Sequence, residues 1–195
     1  MYKHFLRGEK MQMHHQGTKP IETIRLLLRR FKPEDTEDMF HNWASDPEVC
    51  RFLLWGPHLD VEATRKRITN WVNNYEMNHA YVWALELKSK GTVIGSISVE
   101  WSNDTSRSCE VGYCMAKLYW GRGIMTEALR AVMHYLFYEV GYQRIQAKHD
   151  ILNIASGRVM QKAGMHLIKF EYHVGVRRDG SFYDCAVYVK NITDE

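Results

Sequence analysis

The sequence predicts an α/β (α+β) domain with a mixed, mostly antiparallel central sheet and flanking helices. Three observations predict this class. Three β-prone stretches follow one another between residues 81 and 115, and turn residues separate them at 89–92 and 103–106. After Gly123 the apolar residues recur at helical spacing instead of alternating. Near the end of the chain the letters RRDG join two further β-prone stretches, and their Asp-Gly pair favours a hairpin.

The first part of the chain predicts one strand followed by two helices. Residues 23–31, TIRLLLRRF, form an apolar run that predicts the first strand. Pro33 suits the first turn of a helix, and the acidic residues after it favour the positive end of a helix. A second helix is expected from Val61 to about Met77, with Asp60 as its N-cap.

The second half alternates helices with strands. The apolar stripe from Met125 to Val140 predicts a long helix that Gly141 ends. The stretch YQRIQAKHD predicts a short strand, and NIASGRVMQKAG predicts a short helix that Gly164 ends. Two closing strands follow, so the predicted order is β-α-α-β-β-β-α-β-α-β-β.

The bulk composition excludes several classes of function. Of the 195 residues, 45% are apolar and 25% are charged, which is ordinary for a globular protein. The net charge of +3 is too small to predict nucleic-acid binding, and no apolar run approaches the roughly 20 residues of a membrane span. The four cysteines form no C-x-x-C pair and have no histidine at zinc-like spacing. We therefore expect a cytoplasmic protein without a bound metal.

The first 22 residues differ from the rest of the chain. They are polar and lack a sustained period, so we expect an N-terminal extension over residues 1–22 and a domain over 23–192. The extension is interpreted either as a poorly ordered tail or as a segment that docks on a partner subunit.

The stretch YWGRGIMTEAL, residues 119–129, places two glycines directly before the long helix. A helix N-terminus carries free N–H groups and a partial positive charge, and glycine lets an anion approach that backbone closely. Gly121-Arg122-Gly123 therefore suits a phosphate, although a tight β-to-α turn also favours glycine. A nucleoside-triphosphate P-loop is excluded because no Gly-Lys-Ser/Thr follows, and a dinucleotide motif would need a third glycine.

Several segments resemble one known family in the same order along the chain. They are EVGYCMAKLYWGRGIMTEALRAVMHYLF, TIRLLLRRFKPEDTEDMF, SDPEV, VIGSISV and NIASGRVMQKAGM. Together they resemble the GNAT N-acetyltransferase superfamily, and in particular the subgroup that acetylates the N-termini of ribosomal and other proteins. The resemblance covers about residues 23–190. WGRGIM departs from the family pattern Gln/Arg-x-x-Gly-x-Gly/Ala at Trp120 and Met125.

The resemblance implies a GNAT fold in which two parallel strands splay apart and hold the pantetheine arm of acetyl-CoA. In this chain they would be residues 109–115 and 144–149. Met115 would contact the pantetheine, while Arg158 and Lys162 would meet the 3′-phosphate. The pyrophosphate would lie against Gly121, Arg122, Gly123, Ile124, Met125 and Thr126.

The resemblance also suggests which groups take part in the reaction. Glu110 lies on the splayed strand and would act as the general base, unless it is a solvated strand residue. Ser156, in Asn153-Ile-Ala-Ser156, would donate a hydrogen bond to the departing thiolate. Asn153 would hold the pantetheine or cap the short helix. The subgroup often has a glutamate base after the short helix, and Ile168 occupies that place here.

The sequence therefore predicts an acetyl-CoA-dependent N-acetyltransferase whose acceptor is the N-terminal α-amine of a protein or peptide. Such an amine has a pKa near 7.7–8.0 and is partly neutral at pH 7, so its base has less to do than with a lysine. Two alternatives stay open: an acetyltransferase for a small amine such as a polyamine or aminoglycoside, and a catalytically silent CoA-binding module. Pairing of two copies into a homodimer is compatible with the sequence.

Overall fold

The computed structural model describes residues 13–177 and 180–194, and its centre is one mixed sheet of eight strands in the order β1-β2-β3-β4-β5-β6-β8-β7. The strands are β1 (Ile21–Glu22), β2 (Leu26–Arg29), β3 (Val82–Leu87), β4 (Thr92–Asn103), β5 (Ser108–Met115), β6 (Arg144–Asp150), β7 (His166–Val176) and β8 (Phe182–Asn191). The α-helices are α1 (Thr36–Met39), α2 (Val61–Asn74), α3 (Ile124–Tyr135) and α4 (Ile154–Lys162).

The pairing of the strands confirms the predicted sheet. All neighbouring strands are antiparallel except β5 and β6, which are parallel. β4 carries a bulge at Glu100, between the pairs Val99–Val111 and Trp101–Glu110. A bulge re-aims the extra side chain, and here it does so beside the parallel pair.

The predicted first strand is shorter than expected. Of the strand expected over residues 23–31, only Leu26–Arg29 forms a strand, because the chain turns at Thr23 to pair β2 with β1, which lies in the predicted extension. The Thr23 hydroxyl accepts a hydrogen bond from the Leu26 N–H at 3.0 Å, which closes the turn. A side chain that bonds its own backbone competes with the sheet, and the apolar pattern alone does not reveal this.

The helices start and stop close to the predicted residues. The Asp60 side chain accepts a hydrogen bond from the Ala63 N–H at 2.8 Å and so caps α2. The long helix begins at Ile124, continues from Leu136 as a π-helical turn, and ends at Gly141, whose φ of 97° few other residues tolerate. The first helix, opened by Pro33, is irregular: a 3₁₀ turn, α1 and a π turn follow one another up to Ala44.

Part of the predicted N-terminal extension packs against the domain. The first 12 residues lie outside the described residues, but residues 13–22 contact the sheet and α3. Thr18 is buried and donates to the Ala80 carbonyl at 2.9 Å, while the Tyr135 hydroxyl donates to the Gly17 carbonyl at 2.7 Å. The indole of Trp83 donates to the Lys19 carbonyl at 2.7 Å. These bonds give hydrogen-bond partners to polar groups that would otherwise be buried without one. This explains why a polar stretch of chain stays with the domain.

The closing strands form the predicted hairpin in outline. Arg178 and Asp179 of the RRDG turn lie outside the described residues, but Arg177 N–H bonds the Ser181 carbonyl at 2.7 Å across the base of the turn. Within the described residues no helix is long and apolar enough to cross a membrane. The described part of the chain also holds no group of three His, Cys, Asp or Glu side chains arranged for a metal ion.

Candidate active site

The central parallel strands pair only at their start and then separate. Pairing ends with Glu110 of β5 opposite Gln146 of β6. Beyond that pair, residues 111–115 and 147–150 have no pairing with each other in the described sheet. Except for the Met115 carbonyl, which accepts from the Trp120 indole, their facing backbone groups can thus bond an extended amide chain, as an additional strand would do. The gap predicted between these strands is therefore present.

The glycine loop leads from the end of β5 into α3. Gly121 has a φ of +73° and Gly123 a φ of +71°, so both occupy the left-handed region. All three residues from Gly121 to Gly123 are exposed, and the free N–H groups of the first turn of α3 begin beside them. The side chains of Ile124 and Met125 are buried, so these two residues can offer a ligand only their backbone. Thr126 is largely buried and lines the cleft beside α3.

Arg25 and Glu127 fix the glycine loop to the first hairpin. The Arg25 guanidinium donates to the Arg122 carbonyl at 2.8 Å and to the Glu127 carboxylate at 2.6 Å. The Glu127 carboxylate also accepts from the Thr23 hydroxyl at 2.6 Å. Burial raises the pKa of Glu127, but the hydrogen bonds from Thr23 and Arg25 outweigh this and hold the pKa below its ordinary value. The loop is thus held in place by bonds that exist without a ligand.

Trp120, which departs from the family pattern, has a structural role. Its indole N–H donates to the Met115 carbonyl at 2.7 Å. This bond ties the glycine loop to the last residue of β5, at the open end of the gap. Met115 is buried at that end.

A cleft of about 740 Å³ opens beside the first turns of α3. Gly123 and Thr126 line it, together with the positive side chains of Arg25, Arg130 and Lys162. Lys162 therefore lies near the glycine loop, as its expected role with a phosphate requires. Arg158 is exposed on α4 and does not line this cleft.

Ser156 lies in the first turn of α4, on one side of the gap. Asn153 caps this helix, since its side-chain oxygen accepts from the Ser156 N–H at 3.3 Å. Tyr113 lies in the part of β5 that no longer pairs with β6. Its hydroxyl lies 3.0 Å from Ser156 Oγ and donates to the Ser156 carbonyl at 3.0 Å. Burial raises the pKa of Tyr113, so the phenol stays protonated and can donate.

Glu110 lies at the closed end of the gap. Its carboxylate accepts from the Gln146 side chain at 2.8 Å and pairs with Lys148 Nζ at 3.3 Å. The side chain is only 16% exposed, so it is not the solvated strand residue of the alternative interpretation. The alternation along β5 puts Glu110 on the opposite face from Tyr113.

Three further side chains were given no role from the sequence. Tyr113 contacts Ser156 as described. Glu100 is turned by the bulge in β4, so that its Cγ would lie 2.9 Å from a Cβ added at Gly112. The guanidinium carbon of Arg67 on α2 lies 5.0 Å from the centre of the Trp55 ring and 5.0 Å from the centre of the Trp71 ring. The alternation along β5 gave the direction of Tyr113, but nothing in the sequence marks the bulge.

His149 packs against α4 at the gap. Its Nδ1 lies 2.8 Å from the Asp150 carbonyl, and its Nε2 lies 2.6 Å from where a Cβ of Gly157 would be. Gly157 therefore permits a close approach between β6 and α4. His149 thus takes part in the packing of β6 against α4.

The fold and the parted strand pair define an acyltransferase of the GNAT class, and comparison with known proteins agrees. Residues 25–166 match the family model described as "Acetyltransferase (GNAT) domain". The chain therefore belongs to the GNAT acetyltransferase family and is an N-acetyltransferase. Enzymes of this family use acetyl-CoA.

Individual relatives support the same family. "Probable N-acetyltransferase YjcK" of Bacillus subtilis is 36% identical over 107 residues, 54% of this chain and 59% of that protein. "Putative ribosomal N-acetyltransferase YdaF" of the same organism is 30% identical over 85% of this chain and 88% of that protein. The structure of RimL, the ribosomal L7/L12 alpha-N-protein acetyltransferase, in complex with coenzyme A has the same fold. It matches with a TM-score of 0.80 over 91% of this chain and 100% of its own, at 19% identity.

Proposed function

We propose that this enzyme transfers the acetyl group of acetyl-CoA to the N-terminal α-amine of a protein or peptide. The observation that carries the acyl-CoA half of the proposal is the continuity of the gap with the glycine loop. An amide-rich pantetheine in the gap would leave at Met115 and bring its pyrophosphate to Gly121–Thr126. The free N–H groups at the start of α3 would then face the phosphates, and Arg122 would add its charge.

The basic cleft beside α3 extends this path. Lys162 and Arg130 lie on its wall together with Gly123 and Thr126. A nucleotide whose pyrophosphate rests on the glycine loop would have these positive side chains within reach. Lys162 is therefore the more favourable contact for the 3′-phosphate, and Arg158 would require a position further out on α4.

The residues that would take part in the acetyl transfer lie near the point where β5 and β6 stop pairing. The amine nitrogen attacks the thioester carbon, the carbon–sulfur bond breaks, and the amine loses a proton while the sulfur leaves as a thiolate. Glu110, at the last paired position of the strands, would take the proton directly or through a water. Ser156, on the other face, would donate a hydrogen bond to the thiolate, and its contact with Tyr113 would keep its hydroxyl near the gap.

Positioning supplies much of the rate in such a direct transfer. Holding two reactants in a reactive geometry can contribute about 7–11 kcal/mol. No covalent intermediate on the enzyme is needed, and the free cysteines agree with that: burial raises the pKa of Cys109 and Cys114 and keeps both thiols protonated. An α-amine needs less help with deprotonation than a lysine does.

Two named relatives favour a protein acceptor. YdaF carries the name of a ribosomal N-acetyltransferase, and RimL acts on a ribosomal protein according to its name. These names support the choice of an N-terminal α-amine over a polyamine or an aminoglycoside for this chain.

A thiol-release assay with acetyl-CoA tests the proposal. The panel of acceptors has three members. They are peptides with a free N-terminus, the same peptides with a blocked N-terminus and an internal lysine as their only amine, and the polyamine spermidine. We expect release with the free N-termini, and mass spectrometry should place the acetyl group on the α-amine. Transfer only to spermidine would assign the small-amine function instead. Binding of acetyl-CoA without release on any amine would indicate a silent CoA-binding module.

A further inference from the structure

The last strand of the sheet, β7, has an uncovered outer edge. It pairs with β8 on one side, and no other described strand pairs with its opposite side. The strand is 11 residues long, and all of its residues except Glu171 and Gly175 are exposed. The edge of such a strand offers backbone N–H and C=O groups to which another strand can bond.

The exposed residues of the β7–β8 hairpin are largely apolar. Their exposed fractions run from 36% to 70%, and the residues are Leu167, Ile168, Phe170, Tyr172, Val174, Val176 and Phe182. These fractions amount to roughly 700 Å² of exposed surface, and a standard protein interface buries about 800 Å² on each partner. Monomeric proteins rarely expose an apolar patch of this size, so a partner is expected to cover it.

The charges of β7 complement a second copy of the same strand. Lys169 and Glu171 flank Phe170, and within one chain they form an ion pair at 2.7 Å. When two copies of a strand pair antiparallel about a twofold axis at one residue, that residue faces itself and its two neighbours face each other. With the axis at Phe170, each Lys169 faces the partner's Glu171, and the two phenyl rings face each other. Both kinds of cross-strand pair are stabilising.

The register between β7 and β8 gives these pairs separate faces of the sheet. Phe170 lies opposite Ala186, while Lys169 lies opposite Val187, so the phenyl ring and the charges point to opposite faces. The register shifts on both sides of this segment, between Leu167 and Lys169 and between Glu171 and Gly175. These irregularities confine regular pairing to 169–171, which pins the register and prevents the long, slipping pairings by which strand edges aggregate.

We propose that two copies of this chain associate through β7, with the two strands antiparallel and the twofold axis at Phe170. The sheets of the two copies then join at this edge, and the pairing closes on itself after two chains. A second copy is the occupant that the strand favours, because it presents the opposite charge at both charged positions and an apolar ring at the axis. The association does not depend on acetyl transfer.

The mass of the full chain in solution gives the first test. Sedimentation equilibrium at micromolar concentration should give twice the 23.0 kDa of one chain. Lys169→Glu and Glu171→Lys should each raise the dissociation constant of the dimer at least 10-fold, because each change places like charges opposite each other in both pairs. Circular dichroism checks that each variant is folded.

A mixture of the two charge variants distinguishes contacts between chains from the ion pair within one chain. Lys169→Glu makes both positions acidic, and Glu171→Lys makes both basic, so a 1:1 mixture restores opposite charges across the axis. The mixture should form a heterodimer whose dissociation constant is within threefold of that of the unmodified dimer. The matched controls are Arg65→Glu and Glu62→Lys, which make the same charge changes at an exposed pair on α2. They should leave the dissociation constant unchanged.

A disulfide tests the position of the axis. Two residues that face each other in an antiparallel pair have Cα atoms about 4.5–5.5 Å apart, which is within disulfide range. Mild oxidation should therefore link two chains of Phe170→Cys, and a reducing agent should release them. Tyr172→Cys is the control, because its two copies would lie about 13 Å apart along the strands. The unmodified protein, with its four cysteines, gives the background.

The outcomes decide whether β7 is the interface. A monomer at every concentration up to millimolar would overturn the proposal. A dimer that neither charge variant weakens would place the contact elsewhere and refute the role of β7. Two monomeric variants whose mixture stays monomeric would do the same. A cross-link in Tyr172→Cys but not in Phe170→Cys would contradict the axis at Phe170.

Discussion

The hydroxyl of Tyr113 lies 3.0 Å from Ser156 Oγ. This hydrogen bond joins the part of β5 that does not pair with β6 to the first turn of α4, on one side of the gap. The same hydroxyl also bonds the Ser156 carbonyl. Tyr113 therefore holds Ser156 in place, and Ser156 is the residue proposed to donate a hydrogen bond to the departing sulfur. This relationship allows the role of Ser156 to be tested apart from its role in the helix.

Replacing Ser156 with alanine is expected to lower kcat about 10–100-fold while the Kd for acetyl-CoA changes less than threefold, because a hydrogen bond to the thiolate acts in the transition state. Steady-state kinetics and calorimetry give the two values. Ser106→Ala, at the turn before β5 and away from the gap, serves as the control. Unchanged turnover in Ser156→Ala would remove this hydroxyl from the mechanism.

Gly123→Ala should weaken acetyl-CoA binding at least 10-fold and lower stability by about 1–2 kcal/mol, since alanine is strained at a positive φ. Gly91 provides a control, because its φ is +62° and no atom lies within 4 Å of where its Cβ would be. Gly91→Ala should cost similar stability and leave acetyl-CoA affinity unchanged. If both variants bind acetyl-CoA equally well, the glycine loop does not hold the phosphates.

The contact between His149 and Gly157 makes a prediction about stability. A methyl group at residue 157 would lie 2.6 Å from His149 Nε2, so Gly157→Ala should destabilise the protein by about 1–3 kcal/mol in urea unfolding. In a His149→Ala background the clash disappears. The same substitution should then stabilise α4 by up to about 1 kcal/mol, since alanine favours a helix over glycine. Additive effects of the two substitutions would contradict the contact.

Glu127 predicts how stability depends on pH. Its pKa is held below the ordinary value of 4.5, so its ionised form stabilises the fold above that pH and this contribution is lost as the pH falls. Glu127→Gln should therefore cost about 1 kcal/mol at pH 7, a figure reduced for the partial exposure of Arg25. The free energy of unfolding of both proteins is measured with denaturant at pH 7 and below pH 4.5. The difference between Glu127→Gln and the unmodified protein should be smaller at the lower pH. A constant difference would place the effect in packing instead.

The sequence predicted the elements that depend on local pattern. The N-cap at Asp60, the end of the long helix at Gly141 and the strands on either side of the gap follow from side-chain chemistry and period, and the structure has them. The turn at Thr23, before the first predicted strand, was missed because it depends on one side-chain bond to the backbone. The resemblance, more than the residues alone, identified the parting of β5 from β6.

The candidate site was predictable on the cofactor side and less so on the acceptor side. The glycines before α3 and the cap at Asn153 lie in continuous sequence motifs. Tyr113 meets Ser156 of another element across the gap, and the position of Glu100 over Gly112 depends on a bulge in β4. No local pattern records such a juxtaposition.

The central claim is that the parted strands and the glycine loop together bind acetyl-CoA, and a calorimetric titration of acetyl-CoA into the full chain tests it most directly. We expect one molecule to bind per chain, and a matched titration with acetylpantetheine, which lacks the nucleotide and the pyrophosphate, to show at least 10-fold weaker binding. An absence of binding heat at millimolar acetyl-CoA, or equal affinity for the two compounds, would contradict the account.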